Sequence, residues 1–206
     1  NKNSYLDTVV TKTGYNSLNV AKKFKFKKCS TDPNEIFNNK NLNTVFIASQ
    51  HDTHYKFILE SIKSNKNIFV EKPICLKEDE LNSLFKNLKN YDKQFFVGYN
   101  RRFAPTSVFI KNKIKNFSEP LVINYRINAG YIPHDHWIQT KKGGGRILGE
   151  VCHFIDLLIF FTNSIPVKVY AELISSKNKK IIDEDNISII IKFKNGSVAN
   201  ILYHSN

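Results

Sequence analysis

The sequence predicts an α/β protein in which a parallel sheet is followed by a second, α+β domain with an open sheet. Short apolar runs alternate with helix-like segments over residues 1–100, and longer strand-like runs flank one apolar helix over residues 101–206. A strand–helix alternation is typical of a parallel sheet covered by helices on both faces. Long runs closed by a hairpin signal are typical of an antiparallel or mixed sheet. We place the boundary between the domains near residues 99–118.

Apolar runs and helical spacing place the elements of the first domain. The predicted strands are residues 5–10, 44–49, 67–71 and 94–98. Apolar residues at spacings of three and four predict helices at 15–24 (Leu18, Ala21, Phe24), 53–65 (Phe57, Ile58, Ser61, Ile62) and 77–90 (Leu81, Leu84, Phe85, Leu88). Asp32-Pro33 suits the start of a further helix, because Asp is a common N-cap and Pro is tolerated in the first turn.

The second domain is predicted from longer β-type runs. The strands are expected at residues 120–128, 167–174, 187–194 and 197–203. Asn195-Gly196 is a strong hairpin signal between the last two. The helix is expected at 149–162, with Val151, Phe154, Ile155 and Leu158 on its apolar face.

Composition excludes several function classes. The net charge of +13 is compatible with nucleic-acid binding or with a lysine-rich surface. No nucleic-acid motif accompanies the charge, so we expect no nucleic-acid partner. No apolar run approaches the ~20 residues of a membrane span, so no membrane partner is expected. The three cysteines are odd in number and lack C-x-x-C spacing, which favours a reduced, cytoplasmic setting.

Polar residues follow several strands of the predicted parallel sheet. In such sheets ligands bind beyond the carboxyl ends of the strands. The strand ending at Val70 is followed by Glu71-Lys72-Pro73, which therefore faces a crevice. Two other strands are followed by polar residues, namely Ser49, Gln50, His51 and His54 in one case and Asn100, Arg101 and Arg102 in the other.

Two further clusters carry titratable groups. In GGGRILGEVCHFIDLL (143–158), Glu150, His153 and Asp156 lie three residues apart and share one side of the helix, away from its apolar face. They form either a proton-transfer group or an ordinary solvated face. In GYIPHDHW (130–137), His134 and His136 lack a third ligand at a known spacing, so no metal site is predicted.

Taken together, the segments VFIASQHDTHYKF, NIFVEKP, VGYNRRFAP and GGGRILGEVCHFIDLL resemble the glucose–fructose oxidoreductase / inositol dehydrogenase (Gfo/Idh/MocA) family, in order and in spacing. GYIPHDHW and the helix after it look closest to a branch fused behind a zinc-type alcohol-dehydrogenase-like domain, often among genes for surface polysaccharides. The resemblance implies a Rossmann domain that binds NAD or NADP, here residues 1–100, and a substrate-binding and dimerisation domain, here residues 101–206. It also implies a homo-oligomer.

The resemblance assigns roles to individual residues. Lys72 of the E-K-P motif would contact substrate and nicotinamide, and His153 would be the acid/base, with Asp156 as a further acidic position beside it. The expected cofactor contacts are Thr11, Lys12, Ser49, Gln50, His54, Glu71, Lys72, Pro73, Asn100 and Arg101. The expected substrate contacts are Lys72, Tyr131, Trp137, Arg146, Glu150 and His153.

The sequence departs from the family pattern at two places. The Asp of the family's D-x-x-x-H motif is Gly149 here, and Glu150 follows it, but one residue along a helix turns a side chain by ~100°. The glycine-rich phosphate loop G-x-G-x-x-G would precede residue 1, so the first βα unit is expected to be missing and the second domain to be incomplete at its carboxyl end. Thr11 and Lys12 stand where an acid selects NAD, which favours NADP.

The sequence thus supports an NAD(P)-dependent enzyme that transfers hydride to or from a hydroxyl or keto carbon of a sugar, sugar nucleotide or cyclitol. Removing hydride from an alcohol requires a base for its proton and a cation for the developing alkoxide, roles that suit His153 and Lys72. The alternative is a non-catalytic sugar-binding or dimerisation module on the same scaffold, which Gly149 favours.

Overall fold

The computed structural model describes residues 4–205. The strands are β1 (Thr8–Val10), β2 (Lys28–Ser30), β3 (Thr44–Ile47), β4 (Asn67–Val70), β5 (Phe95–Val97), β6 (Val122–Asn128), β7 (Pro166–Leu173), β8 (Ile187–Phe193) and β9 (Val198–His204). The helices are α1 (Gly14–Phe24), α2 (Asn34–Phe37), α3 (His51–Lys63), α4 (Glu78–Leu88), α5 (Pro105–Ile114) and α6 (Cys152–Thr162). None of these helices is long and apolar enough to span a membrane.

The first half contains parallel strands, as predicted. β1 pairs with β2, and β3, β4 and β5 form a second sheet in that order. Inward residues of β3 and β4, such as Ile47 and Val70, pack against Ile58 of α3 and Leu84 of α4 to form one core. The parallel pairing brings the carboxyl ends of β3, β4 and β5 to one edge, which positions the polar residues that follow them.

Helices do not cover the second face of the β3–β5 sheet. There Phe46, Phe69 and Phe96 lie in register, with ring centroids 5.0 and 5.6 Å apart. Phe46 is 73% exposed. Within residues 4–205 this face of the sheet therefore carries exposed aromatic rings.

Helix α1 turns a different face inward from the predicted one. Leu18 and Phe24 are exposed, whereas Ser17 and Ala21 are buried. The hydroxyl of Ser17 donates toward the carbonyls of Val9 and Ser30 and so ties α1 to β1 and β2. Apolar spacing misses this because a small polar residue provides the contact.

The second half folds as a mixed sheet with the order β6-β9-β8-β7. β8 and β9 are antiparallel and joined by the predicted hairpin, where Gly196 has a φ of +93° that favours glycine. β6 and β9 are parallel. Phe154 and Leu158 of helix α6 pack on the inward residues of the sheet. The opposite side of α6 therefore faces the first domain.

Candidate active site

Lys72 lies just beyond the carboxyl end of β4 and reaches the second domain. Its peptide bond to Pro73 is cis. Its ammonium donates a hydrogen bond of 2.5 Å to the carbonyl of Gly149. None of the salt bridges within residues 4–205 involves Lys72, so its charge is not neutralised by a described carboxylate.

The segment that receives Lys72 is a π-helical turn, Ile147–Val151, which runs directly into α6. Such π-turns are rare and frequently occur at functional sites. Gly149 is tightly surrounded, because a Cβ on it would lie 3.0 Å from Ile138 Cδ1 and 3.2 Å from His51 Cε1. The family motif has Asp at this position. Because Gly149 has no side chain, the side chains of Ile138 and His51 fill the space beside it.

His153 lies one helical turn after Gly149 and is only 8% exposed. Its Nδ1 is buried without a hydrogen-bond partner among the described residues. It lines a cavity of about 480 Å³ together with Asn100, Arg101, Phe103 and Ala104. Burial, helped by the positive charges of Lys72 and Arg101, lowers the pKa of His153 to about 4. The imidazole is therefore neutral near pH 7 and able to accept a proton.

Asp156 is occupied by an ion pair. Arg102 donates to it through Nε, at 2.9 Å, and through Nη2. The pair fastens the turn 100–103 to α6 beside His153. The sequence analysis places Arg102 after a strand but assigns it no role. The ion pair could not be predicted, because it joins residues 54 positions apart.

Glu150 and Arg146 also pair with each other. Arg146 is 2% exposed, and its guanidinium donates to both carboxylate oxygens of Glu150 and to the carbonyls of Ala129 and Gly130. Glu150 further accepts a 2.5 Å bond from the hydroxyl of Tyr203. Both residues thus hold the segment 129–146 to the sheet.

The predicted cofactor contacts divide into two groups. His54 is fully buried, with Nδ1 2.7 Å from the carbonyl of Pro73 and Nε2 3.1 Å from that of Ser49, so it fixes loops and does not line the cavity. Five other predicted contacts follow the strands of the β3–β5 sheet, namely Ser49, Gln50, Glu71, Asn100 and Arg101, whereas Thr11 and Lys12 follow β1 of the separate β1–β2 sheet. Of the other predicted substrate contacts, Tyr131 and Trp137 are exposed in the segment before the π-turn.

Sequence reasoning did not assign His51, which belongs to the same site. Its Nδ1 is 2.7 Å from the carbonyl of Gly143, and its ring meets Trp137 edge-on with centroids 4.9 Å apart. Burial lowers the pKa of His51, and the charge of Lys72 adds to this effect. The sequence signal that could have identified His51 as a site residue is its position shortly after β3.

The edge fits a nicotinamide dinucleotide. It offers hydroxyl, amide and cationic groups at the ends of several parallel strands, where such cofactors bind. The unpartnered Nδ1 of His153 and the cavity at Arg101 add polar groups on the side of the second domain. In the described part of the chain, no three His, Cys, Asp or Glu side chains come together as a metal-binding group.

A pH titration of stability tests the state of His153. Because its pKa is lowered to about 4, the unfolded chain binds this proton more tightly between pH 4 and 6.5. The free energy of unfolding should therefore fall as the pH drops through this window. In His153→Gln the fall should be smaller, as measured by urea denaturation at several pH values. The exposed His134→Gln is the control, and a wild-type slope in His153→Gln would contradict the burial of a neutral imidazole.

Gly143 tests the packing of the segment that bonds His51. A Cβ there would lie 2.3 Å from the Cα and the carbonyl oxygen of Ile138, which are backbone atoms that cannot rotate away. We expect Gly143→Ala to lower the free energy of unfolding by about 1–3 kcal/mol. The matched control is Gly14→Ala, because no atom lies within 4 Å of a Cβ at that position. Equal stability of the two variants would contradict the packing.

Comparison with known protein families matches both halves of the chain. Residues 1–99 match an oxidoreductase family with an NAD-binding Rossmann fold. Residues 117–206 match the GFO/IDH/MocA C-terminal domain.

Relatives and solved structures extend the match. The chain is 25% identical over 182 residues to a myo-inositol 2-dehydrogenase of Thermotoga maritima, covering 86% of this chain and 54% of the relative. It is 27% identical over 163 residues to an inositol 2-dehydrogenase of Rhizobium meliloti, covering 77% of this chain and 49% of the relative. A levoglucosan dehydrogenase in complex with NADH and levoglucosan superposes with a TM-score of 0.85 at 20% identity, over 97% of this chain and 58% of that one. The chain thus spans about half the length of the curated relatives it matches.

Proposed function

The chain belongs to the GFO/IDH/MocA oxidoreductase family, and from this membership we propose that it transfers hydride between a nicotinamide cofactor and a hydroxyl-bearing carbon of a sugar, sugar nucleotide or cyclitol. The observation that carries the proposal is the meeting of Lys72 with the π-turn that leads into His153. A cation and a neutral imidazole from separate domains then face one substrate position. Relatives named as inositol dehydrogenases support the substrate class.

The two residues divide the chemistry. The bound cofactor takes up or releases the hydride. His153, neutral near pH 7, accepts the hydroxyl proton as the carbon–hydrogen bond breaks. The ammonium of Lys72 stabilises the negative charge that develops on the oxygen. This stabilisation is strong because no described carboxylate neutralises the ammonium. Arg102 holds Asp156 beside His153 and so keeps the turn 100–103 against the site.

The cofactor is proposed to be NAD or NADP. The family's NAD-binding description and the NADH in the levoglucosan dehydrogenase complex support NAD. Thr11 and Lys12 at the end of β1 favour NADP, since a hydroxyl and a cation suit a 2′-phosphate. Fluorescence titration with NADH and NADPH distinguishes the two.

A combined binding and turnover experiment tests the function. The protein is titrated with NADH and NADPH, and then assayed for reduction of NAD⁺ and NADP⁺ with myo-inositol and levoglucosan. Cofactor binding with turnover of a polyol supports the proposal. Failure to bind either cofactor would overturn it and would favour a non-catalytic sugar-binding or dimerisation module. Gly149 and the paired state of Asp156 are the observations in favour of that second candidate.

The outward face of the second sheet suits a second copy of the chain. On this face Val122, Tyr170, Ile190 and Leu202 are exposed on the four neighbouring strands. The register sets polar residues such as Arg126 and Asn200 among them, so the face carries separate apolar side chains on all four strands, which is compatible with an interface between identical subunits. Sedimentation velocity tests this homo-oligomer.

Three further proposals concern the setting of the chain. Residues 1–100 are proposed to bind the cofactor, and residues 101–206 are proposed to bind the substrate. The motif GYIPHDHW and the Gly149-Glu150 pair support membership of the branch fused to a zinc-type alcohol-dehydrogenase-like domain, with a role in polysaccharide synthesis. The three free cysteines support a cytoplasmic location.

A further inference from the structure

A second imidazole, that of His51, lies beside Gly149, the residue whose carbonyl receives Lys72. The carbonyl of Gly149 receives the ammonium of Lys72, and a Cβ on Gly149 would lie 3.2 Å from Cε1 of His51. His51 and His153 belong to different domains, α3 and α6, yet both lie close enough to Lys72 to feel its charge. Lys72, the ring of His51 and the π-turn that leads to His153 thus come together at Gly149.

The hydrogen bond to Gly143 fixes the tautomer of His51. A carbonyl oxygen only accepts, so the Nδ1 of His51 carries the proton that it donates at 2.7 Å. In the neutral ring the other nitrogen, Nε2, is then an acceptor. Within residues 4–205 the side-chain hydrogen bond of His51 is made by Nδ1, which leaves Nε2 able to accept one from a ligand. Because Cε1 joins the two nitrogens and would lie 3.2 Å from a Cβ on Gly149, Nε2 is one bond away from an atom beside Gly149.

The ring of His51 is held in place by packing. Trp137 meets it edge-on at 4.9 Å, His54 lies at 5.7 Å, and His51 itself is buried. An acceptor that is held in one orientation favours ligands that present a hydroxyl donor to it.

We propose that His51 is a substrate-binding residue, which accepts a hydrogen bond from a second hydroxyl next to the one that His153 deprotonates. This inference rests on the proposed function and deepens it. The site would select substrates with two neighbouring hydroxyls, such as cyclitols and sugars, over simple secondary alcohols. The acceptors of His51 and His153, together with the ammonium of Lys72 at Gly149, suit a substrate that carries two neighbouring hydroxyls.

Two variants test the role of Nε2. His51→Phe keeps a ring against Trp137 but removes both nitrogens, and His51→Gln keeps an acceptor. With myo-inositol and the NAD⁺-loaded protein, His51→Phe should raise KM about five- to tenfold, as expected for one lost hydrogen bond. His51→Gln should recover part of the loss. The affinity for NADH should stay unchanged in both variants, and thermal denaturation reports whether each folds.

A hydroxyl-deletion series separates binding from packing. Analogues of myo-inositol that each lack one hydroxyl are compared. Loss of the hydroxyl next to the reacting carbon should weaken binding to the wild type about five- to tenfold. The same loss should not weaken binding further in His51→Phe. Equal losses in both proteins would overturn the inference.

A measurement without turnover separates this outcome from failure of the function itself. The Nε2 resonance of His51, assigned by its absence in His51→Phe, should shift when myo-inositol is added to the NADH complex. If the wild type binds NADH and myo-inositol but this resonance does not move, the role of His51 is wrong while the proposed function stands. If the wild type binds NADH but neither myo-inositol nor levoglucosan, the role of His51 is wrong; if it binds no cofactor, the proposed function fails and the inference fails with it.

Discussion

Replacing Lys72 with methionine is expected to lower kcat/KM about 10²- to 10³-fold, a loss of about 2.7–4 kcal/mol of transition-state stabilisation. The ammonium is held by the carbonyl of Gly149 at 2.5 Å and by no described carboxylate, so its charge is available to an alkoxide. Methionine keeps a similar length of apolar chain but supplies no charge and no donor. Most of the effect should fall on kcat, because the negative charge exists only in the transition state.

Controls separate this role from a structural one. Lys77→Met removes an exposed lysine five residues away and should leave activity within about twofold, as surface changes do. Lys72→Met should still bind NADH, and its unfolding midpoint should stay close to that of the wild type. A variant with wild-type turnover would contradict the assignment of Lys72 and, with it, the proposed chemistry.

A second readout in the same variant does not depend on turnover. Burial is the main cause of the lowered pKa of His153, and Lys72 is the next. Loss of this positive charge should raise the pKa of His153 toward 6.5, which an NMR titration of its ring protons measures. A pKa unchanged in Lys72→Met would show that the two groups do not share one site.

The alternation of strand and helix predicted the parallel sheet because buried parallel strands are short apolar runs. It missed β2, in which Lys28, Cys29 and Ser30 carry no apolar signal, and α5, which starts at Pro105. It also grouped Phe85 with Leu81, Leu84 and Leu88 by their helical spacing, whereas Phe85 is exposed and Leu84 is buried. Periodicity identifies which residues share a face, but it does not show which face another part of the protein covers.

The site was predictable where chain topology determined it. Lys72 and the residues after β3 and β5 had to meet because parallel strands end at the same edge. Packing between the domains determines which partner each polar side chain contacts, and the sequence does not show this packing. Asp156 pairs with Arg102, and His51 fills the space beside Gly149. Both contacts join residues more than fifty positions apart, beyond any local pattern.

Arg146→Met should be the most destabilising of the substitutions considered, with a loss of about 3–5 kcal/mol in the free energy of unfolding. The side chain of Arg146 is 1% exposed and makes hydrogen bonds to Glu150, Ala129 and Gly130. It also lies 3.8 Å from the carboxylate of Asp185, whose side chain is equally buried. Methionine fills much of the volume but leaves two carbonyls unpaired and two acids without their cation. Urea denaturation at pH 7 measures the loss.

The cause of this loss can be separated from lost packing. Burial already raises the pKa of Asp185, and Arg146 opposes that rise. In Arg146→Met the pKa should rise further, so Asp185 takes up a proton on folding and stability increases as the pH falls from 7 toward 4. Adding Asp185→Asn should recover part of the loss at pH 7, whereas Arg126→Met, an exposed arginine on β6, should cost under about 0.5 kcal/mol. A loss independent of pH and of Asp185→Asn would mean that Arg146 stabilises the segment 129–146 by its carbonyl hydrogen bonds and packing, and not by charge.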